Sequence, residues 1–312
     1  MPPPTPGFAL NKSRGASRAW WRLFVRNRVA LTSALTLVVL IGLALAGPAL
    51  YAGLLPPEQR ALRNGLYQDY DAINAGPSAM HWAGADYLGR DLLTRALSAM
   101  RVSLVVALVV ETINVGLGGG LGLIGGYLGG WVDALIARAA DMLFAFPGLL
   151  LAILVSAVFG EAARQLYGDA GRLLLVAAAL SLVSWPLMAR LVRGEVLSLR
   201  SRDFVLAARN LGASDLQIVL WHMLPNAAWL IVVAATLDMA SVIVNEATLS
   251  LLGLGIEEPG TSLGLMIFRG ADRIARAPLQ TLLPAALITL LVLIFAFLGD
   301  GLRDALDPRS WS

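Results

Sequence analysis

Long apolar runs are the feature of this sequence that most restricts the fold it can adopt. Residues 29–50 contain no charged residue, and the last such run spans residues 279–299. A helix of about 20 apolar residues is long enough to cross the hydrocarbon core of a bilayer. Charged residues make up 14% of the 312-residue chain, against about 25% in soluble domains, and mean hydropathy is +0.71. The sequence therefore predicts an integral membrane protein.

The apolar runs are predicted to be helices, because they do not show the alternation of apolar and polar residues that marks a membrane β-strand. We predict an all-α integral membrane protein with six transmembrane helices, at residues 29–50, 101–130, 140–159, 173–191, 228–252 and 279–299. The third helix is expected to bend at Pro147, and Pro186 lies near the end of the fourth. Six crossings place both termini on the same side of the membrane.

Basic residues indicate which side that is. Six of the 24 Lys and Arg residues lie within residues 12–28, and five more lie between residues 190 and 209. Cytoplasmic segments of membrane proteins are enriched in Lys and Arg, so we predict cytoplasmic N- and C-termini. A cleaved signal peptide is the alternative for the N-terminal region. The length of the first apolar run, 22 residues, and the lack of a small-residue cleavage motif favour a membrane anchor.

The second predicted helix ends in a glycine-rich stretch, residues 116–131. Gly120, Gly122 and Gly125 match the spacing of a dinucleotide-binding loop, but no strand precedes them and no βαβ unit surrounds them. Glycines also recur at every fourth position and are expected to line one helix face: Gly118, Gly122, Gly126 and Gly130. Such a face permits close approach of another membrane helix.

A polar stretch, residues 203–226, separates two of the apolar runs and is predicted to form two short helices joined by a turn. Residues spaced i, i+3, i+4 and i+7 are expected to share one face of the first helix: Phe204, Ala207, Ala208 and Leu211. Asp203 is a candidate N-cap, which would make Leu206 the third residue of that helix. We call this segment the hairpin 203–226.

The turn of the hairpin has local signals of its own. Gly212 follows the first helix, where a left-handed residue commonly ends a helix. Ser214 and Gln217 have the spacing of a capping box that begins the second helix. Pro225 is expected to end that helix, since proline breaks helix interiors.

Several motifs resemble those of one family. The pattern of Ala207, Ala208, Gly212, Leu224 and Pro225 resembles the "EAA loop" of bacterial ATP-binding cassette (ABC) importer permeases. Further matches to the dipeptide/oligopeptide/nickel branch of these importers are ADYLGRD (85–91), EATLSLLGLG (246–255), SLGLM (262–266) and LGDGLRDALDPR (298–309). The resemblance covers about residues 80–309 and is to the "C"-type subunit. One residue departs from it, because Leu206 stands where the family has Glu.

The resemblance implies a type I importer permease in the bacterial cytoplasmic (inner) membrane. It implies that the hairpin 203–226 docks on a cytoplasmic ATPase. The expected partners are a homologous second permease, two ATPase subunits and an external, periplasmic substrate-binding protein. Family members carry dipeptides, oligopeptides, glutathione or nickel complexes, and we predict peptides as the substrate.

Catalysis is not expected in this chain. It has no cysteine, and its single lysine, Lys12, lies outside any Walker A motif. No HExxH motif and no Ser/His/Asp set is found, and His81 is expected to be a surface or packing residue. We therefore expect no cofactor in the chain, with ATP and Mg bound to partner ATPase subunits.

These observations predict an order of regions along the chain. They are a cytoplasmic tail (1–28), a first transmembrane helix (29–50), an external loop (51–98), a five-helix permease core (99–301) with a cytoplasmic docking loop (193–226), and a cytoplasmic C-terminal tail (302–312).

Polar residues within the apolar spans are candidates for a translocation path: Glu111, Asn114, Asp238, Ser241, Asn245 and Glu246. A charge at bilayer depth is costly and normally faces water or a partner group. Interhelical hydrogen bonding is the alternative role for these residues. The alternative function is a secondary transporter that uses Asp238 or Glu111 as a proton or cation site, with a channel or structural protein third. The internal repeat common in secondary transporters is not seen.

Overall fold

The computed structural model describes residues 20–306. The outermost parts of both predicted tails, residues 1–19 and 307–312, lie outside this range. The main α-helices after Asn27 are α1 (Arg28–Gly53), α2 (Leu92–Ile113), α3 (Gly120–Leu128), α4 (Gly130–Phe144), α5 (Gly148–Arg200), α6 (Asp203–Asn210), α7 (Leu224–Leu251), α8 (Leu263–Ala271) and α9 (Leu279–Leu306). Two π-helical segments, Asn114–Gly119 and Ile218–Met223, lead into α3 and α7. The fold class is all-α, as predicted.

Within residues 20–306, five helical stretches are long and apolar enough to cross a membrane: Arg28–Gly53, Leu92–Leu128, Gly148–Arg200, Asp215–Leu251 and Leu279–Leu306. The second begins nine residues earlier than the predicted start at residue 101, because the Asp91 side chain caps it by accepting a hydrogen bond from the Thr94 amide. The loop predicted to run to residue 98 therefore ends at Asp91.

The 53-residue helix α5 is folded back on itself. Gly168, with φ +62° and ψ −146°, is not helical and divides α5 into a first arm (148–167) and a second arm (169–200). Gly148 contacts Val183 and Gly160 lies near Arg172, although a straight helix would separate these pairs by about 50 and 18 Å. The arms are therefore antiparallel. The two antiparallel arms of α5 support the predicted count of six crossings. That count, and the side of the membrane on which each terminus lies, stay predictions.

Helix α4 precedes the first arm of α5, and the two together run alongside the second arm. Asp133 of α4 pairs with Arg193, and Asp141 pairs with Arg190. The helical structure is interrupted at residues 145–147 between α4 and α5, at the predicted bend. Proline lacks an amide N–H and disfavours helical geometry in the residue before it, so Pro147 begins a new helix.

The second arm of α5 is longer than the predicted fourth span. It passes through Pro186 and ends at Arg200, so the loop that was predicted to begin at residue 193 begins at Ser201. Pro186 removes one backbone hydrogen bond but does not end the helix, because the residues on either side of the proline pack against other helical segments. Trp185 lies against Ala140 of α4, and Met188 lies beside Gly118.

The glycine face of the second crossing packs against this arm, as predicted. A Cβ atom added at any of three glycines would lie 2.5–3.0 Å from a carbonyl oxygen of the arm: Gly118 with Trp185, Gly122 with Ala189, and Gly126 with Arg193. Gly130 was wrongly assigned to this face. Helix α3 ends at Leu128, and the turn through Gly129 and Gly130 (φ +66° and +59°) carries Gly130 away from the arm.

Loops gather at two opposite ends of the helices. At one end Arg90 contacts Glu258, Gln280 contacts Asn74, and Arg172 near the Gly168 turn donates to the Gly253 carbonyl. We call this the outer end, since it contains the loop predicted to be external. The hairpin 203–226 lies at the other end.

Candidate functional site

The first helix of the hairpin 203–226 begins one residue earlier than predicted. Arg202 occupies the N-cap position with extended backbone geometry and makes no side-chain cap, and Asp203 is already helical. Asp203 is therefore not the N-cap, and Leu206 is the fourth helical residue rather than the third. A glutamate at position 206 would be one residue beyond the place where a capping box forms.

The turn of the hairpin agrees with its sequence signals. Gly212 has φ +84°, the left-handed conformation that glycine adopts without strain. The Ser214 hydroxyl accepts a hydrogen bond from the Gln217 amide, and the Gln217 side chain accepts one from the Ser214 amide. The predicted capping box is thus present.

The predicted shared face of α6 is divided in the structure. Ala208 is buried together with Val205, against a cluster that includes Val196, Ile218 and Met223. The other three predicted members, Phe204, Ala207 and Leu211, are exposed, and Leu211 is 88% exposed. Periodicity identifies residues that lie close together on a helix, but it does not say which of them the rest of the chain covers. We call the exposed residues Phe204, Ala207, Leu211 and Leu216 the exposed hairpin surface.

Pro225 does not end the second helix, contrary to the prediction. Residues 215–251 form one continuous helical stretch, with Pro225 as the second residue of α7. A π-helical segment, Ile218–Met223, comes directly before it. The wider turn of a π-helix can accommodate a proline, whose missing N–H and ring disturb regular α-helical bonding.

A contact that sequence analysis missed fixes the hairpin to α3. The buried Tyr127 hydroxyl donates a hydrogen bond to Asp215 and accepts one from Arg209 at 3.1 Å. The Arg209 guanidinium carbon lies 5.7 Å from the centre of the Tyr127 ring. Tyr127 and Asp215 are 88 positions apart, so no local pattern in the sequence points to this pairing.

Three of the predicted path residues come together midway along their helices. The Asn114 side-chain amide lies 3.3 Å from Glu111 Oε1 and 3.3 Å from Asp238 Oδ2, and so bridges the two carboxyl groups. Glu111 and Asn114 are buried, whereas Asp238 is half-buried. Asn114 begins the π-helical segment after α2, and such segments are frequent at functional sites. We call these three residues the mid-helix polar group.

The remaining predicted path residues divide between two environments. Ser241 is exposed and Asn245 is half-buried, on the same side of α7 as Asp238. Glu246 is 2% exposed and accepts hydrogen bonds from Ser103 at 2.7 Å and Ser250 at 2.8 Å. The structure therefore places Glu246 in the packed interior rather than in the mid-helix polar group.

The ADYLGRD motif forms an ion-pair network at the outer end. Asp86 accepts hydrogen bonds from the Leu88 and Arg90 amides, both at 2.9 Å, and pairs with Arg90 Nε at 2.7 Å. Arg90 also donates to Glu258 at 2.9 Å. Burial raises the pKa of Glu258, but hydrogen bonds from Tyr87 and Arg90 and the Arg90 charge outweigh it and leave that pKa below the usual range. The network ties the loop before α2 to the loop after α7.

His81 is a packing residue at the same end. It is buried, and its Nδ1 atom lies 2.9 Å from Asp91, the cap of α2.

The apolar helices, the polar group within them and the hairpin between them together define a membrane transport subunit. A family model described as "Binding-protein-dependent transport system inner membrane component" matches residues 118–312, and one described as "N-terminal TM domain of oligopeptide transport permease C" matches residues 16–77. The chain belongs to the family of binding-protein-dependent transport system inner membrane components.

Curated relatives and one solved structure agree with this assignment. The chain is 43% identical over 290 residues to the glutathione transport system permease protein GsiD of Shigella flexneri serotype 5b, covering 93% of this chain and 89% of the relative. It is 41% identical, at the same coverage, to GsiD of Escherichia coli O6:K15:H31. The fold resembles the inward-facing MetNI methionine ABC transporter, with a TM-score of 0.53 and 20% identity over 68% of this chain and 96% of that chain.

The family confirms the resemblance seen in the sequence. The chain is a permease subunit of an ABC importer in the inner membrane, and a separate ATPase hydrolyses the ATP. Such permeases work with a second permease, an ATPase and a binding protein. The secondary-transporter alternative is not favoured.

Proposed function

We propose that the chain forms half of the translocation path for di- or oligopeptides, and that an external binding protein delivers them. In this proposal the hairpin 203–226 couples the path to a separate ATPase that binds ATP and Mg. The GsiD relatives are named for glutathione transport, and glutathione is itself a tripeptide. The match to the N-terminal domain of an oligopeptide permease points to the same class of substrate.

The observation that carries the coupling role is the exposed hairpin surface. Leu211 is 88% exposed and Leu216 is 68% exposed, in a segment that also carries several charges. Covering a leucine side chain stabilises a complex by about 1.5–3 kcal/mol relative to leaving it in water. The backbone beneath these side chains is held by the capping box and by Tyr127, so the surface is rigid enough to transmit force.

The mid-helix polar group supports the path role. Asp238 is half-buried, and with Ser241 and Asn245 it forms a polar strip on one side of α7. A carboxylate facing lipid would be strongly disfavoured, so this strip faces water or another subunit. We propose that it faces the second permease across the path, with Glu111 and Asn114 holding Asp238 in place from behind.

Two experiments test this function. In the first, the chain is co-expressed with its cognate permease, ATPase and binding protein, and uptake of radiolabelled dipeptide, oligopeptide or glutathione is measured with and without ATP. In the second, Leu211→Cys is paired with cysteines in the ATPase groove. Crosslinking is expected at position 211 but not at the buried position 208. ATP-independent uptake, or crosslinking absent from all exposed hairpin positions, contradicts the proposal.

The substrate class has its own test. Thermal melting of the cognate binding protein is followed with dipeptides, oligopeptides, glutathione and nickel complexes. We expect a stabilising shift with one or more peptides. A shift with nickel complexes alone would remove peptides from the proposal and leave the importer role intact.

A further inference from the structure

Three arginines lie close together in sequence at the outer end, at positions 269, 273 and 276. Four others are held by the fold through carboxylates or backbone carbonyls: Arg63 by the Tyr51, Ala79 and Met80 carbonyls, Arg90 by Asp86 and Glu258, Arg95 by Asp86, and Arg172 by Glu257. Arg269, Arg273 and Arg276 have no ion-pair partner within residues 20–306. Their charges therefore contribute no ion pair to the described fold.

Two of the three arginines lie close to aromatic rings. The Arg269 guanidinium carbon is 5.5 Å from the Phe268 ring centre, and that of Arg273 is 4.9 Å from the Tyr87 ring centre. Arg273 also donates to the Arg269 carbonyl at 2.8 Å, and Phe268 is 46% exposed. We call Tyr87, Phe268, Arg269, Arg273 and Arg276 the outer arginine patch.

The composition of this patch is typical of a protein-binding surface. Arginine, tyrosine and phenylalanine are enriched at the centres of protein interfaces, whereas lysine and glutamate are depleted there. Residues 263–280 contain three arginines but one acidic residue, Asp272, so the segment carries net positive charge. Unpaired arginines on the predicted external side also run against the usual concentration of basic residues in the cytoplasm.

The geometry points to a macromolecular partner rather than to a small substrate. The cavity beside the patch, lined by Arg90, Arg269 and Gln280, has a volume of about 20 Å³, which holds a water molecule but no peptide. Arg269, Arg276 and Phe268 are exposed, so a partner can contact them at the surface without entering that cavity.

We propose that the outer arginine patch is a docking surface for an acidic face of the external binding protein. This inference rests on the proposed function, in which that protein delivers the substrate. Charge pairs across such an interface mainly raise the association rate and fix the orientation of the partners. The aromatic rings would supply apolar contact beneath the arginines.

The test uses the complete transporter in nanodiscs of zwitterionic lipid and measures binding of its purified cognate binding protein at low and high salt. The double variant Arg269→Gln/Arg276→Gln removes two charges but leaves Arg273, which also bonds to the end of α8. We expect it to weaken binding by about tenfold at low salt, mainly through the association rate, and to reduce the salt dependence. The matched control is Arg60→Gln, since Arg60 is exposed at the same end and donates only to the Leu55 carbonyl.

The outcomes separate this inference from the proposed function. If the wild-type transporter binds the protein and the double variant binds it equally well with the same salt dependence, the patch is not the docking surface. The same measurement is repeated in nanodiscs that contain anionic lipid. If the variant binds the protein normally in zwitterionic nanodiscs and loses binding only when anionic lipid is present, the patch binds lipid instead, and the inference is wrong. If the wild-type transporter itself binds no such protein, the proposed function fails along with it. Replacing an acidic residue of the binding protein with Lys should worsen wild-type binding more than binding to the double variant.

Discussion

The Tyr127 hydroxyl donates a hydrogen bond to the Asp215 carboxylate and so joins the end of α3 to the hairpin 203–226. Tyr127 belongs to the same helical stretch as Glu111 and Asn114, Leu92–Leu128. Asp215 begins the stretch that contains Asp238, Asp215–Leu251. The two stretches therefore touch at the hairpin and again at the mid-helix polar group. We therefore expect a displacement of the hairpin to move both stretches at once.

We predict that Tyr127→Phe partly uncouples ATP hydrolysis from transport. The variant keeps the ring and loses the hydroxyl contacts to Asp215 and Arg209, and a hydrogen bond to a charged group contributes about 1.5–3 kcal/mol. We expect normal membrane insertion, with fewer substrate molecules transported per ATP hydrolysed in proteoliposomes. The matched control is Tyr167→Phe, because Tyr167 is 72% exposed. An unchanged transport ratio would remove Tyr127 from the coupling route.

The glycine face of α3 should be essential for packing. We predict that Gly122→Leu or Gly126→Leu lowers the yield of assembled transporter severely, because the new side chain would meet the backbone of the second arm of α5. Gly120→Leu is the matched control, since a Cβ at Gly120 meets nothing within 4 Å. Yield is measured by size-exclusion chromatography of the complex. Equal yield for all three variants would show that this packing is not needed for assembly.

Local signals in the sequence were sufficient for the hairpin turn and insufficient for what surrounds it. Gly212 and Ser214 were predicted correctly, because a left-handed turn and a capping box depend on a few neighbouring residues. The burial of Ala208, apart from the other members of its predicted face, depends on Val196 of α5 and on Met223, which neighbouring positions on α6 do not reveal. The six crossings were inferred from apolar runs, whereas the third and fourth are distinguished in the structure by one non-helical residue, Gly168.

The polar residues within the spans also show that local sequence does not determine which side chains other helices cover. The spacing of Asp238 and Glu246 gives the angle between them on α7 but not which of them faces the interior. Contacts with Ser103 on α2 hold Glu246 inside, and those contacts depend on how the helices pack. Glu111, Asn114 and Asp238 were proposed as path residues from two separate spans, and the packing brings them together.

Asp238 and Glu246 should differ in what their replacement does. We predict that Asp238→Asn lowers uptake at least severalfold without loss of assembly, because a charge on the polar strip is removed while its shape is kept. Glu246→Gln should instead lower thermal stability, because an amide cannot accept from Ser103 and Ser250 with both of its terminal atoms. Uptake and melting temperature are measured for both variants. If both variants change uptake and melting temperature to the same extent, Asp238 has a structural role.

The attachment at the outer end should weaken in acid. The pKa of Glu258 is lowered on folding, so its charged form stabilises the fold at pH values above the ordinary glutamate pKa. That contribution is lost as the pH falls from the ordinary pKa through the lowered one, where the folded protein takes up the proton. We predict that wild type and Glu258→Gln differ in melting temperature at neutral pH and converge in acid. Curves that stay parallel across this range would contradict the role of the Glu258 charge.

The hairpin turn offers the sharpest test of coupling. Gly212 has φ +84° and open space around it, so a substitution there is strained by its backbone conformation and not by a clash. Valine is β-branched and strongly disfavoured at positive φ, at a cost of about 1–3 kcal/mol. We predict that Gly212→Val lowers uptake and crosslinking through Leu211→Cys while membrane insertion stays normal. Gly212→Asn is the matched control, because asparagine tolerates the left-handed conformation and should keep most of the activity. Leu206→Glu should be close to neutral, since Leu206 is exposed and lies one residue beyond the capping-box position. Transport by Gly212→Val equal to that of Gly212→Asn would show that the geometry of this turn does not control docking.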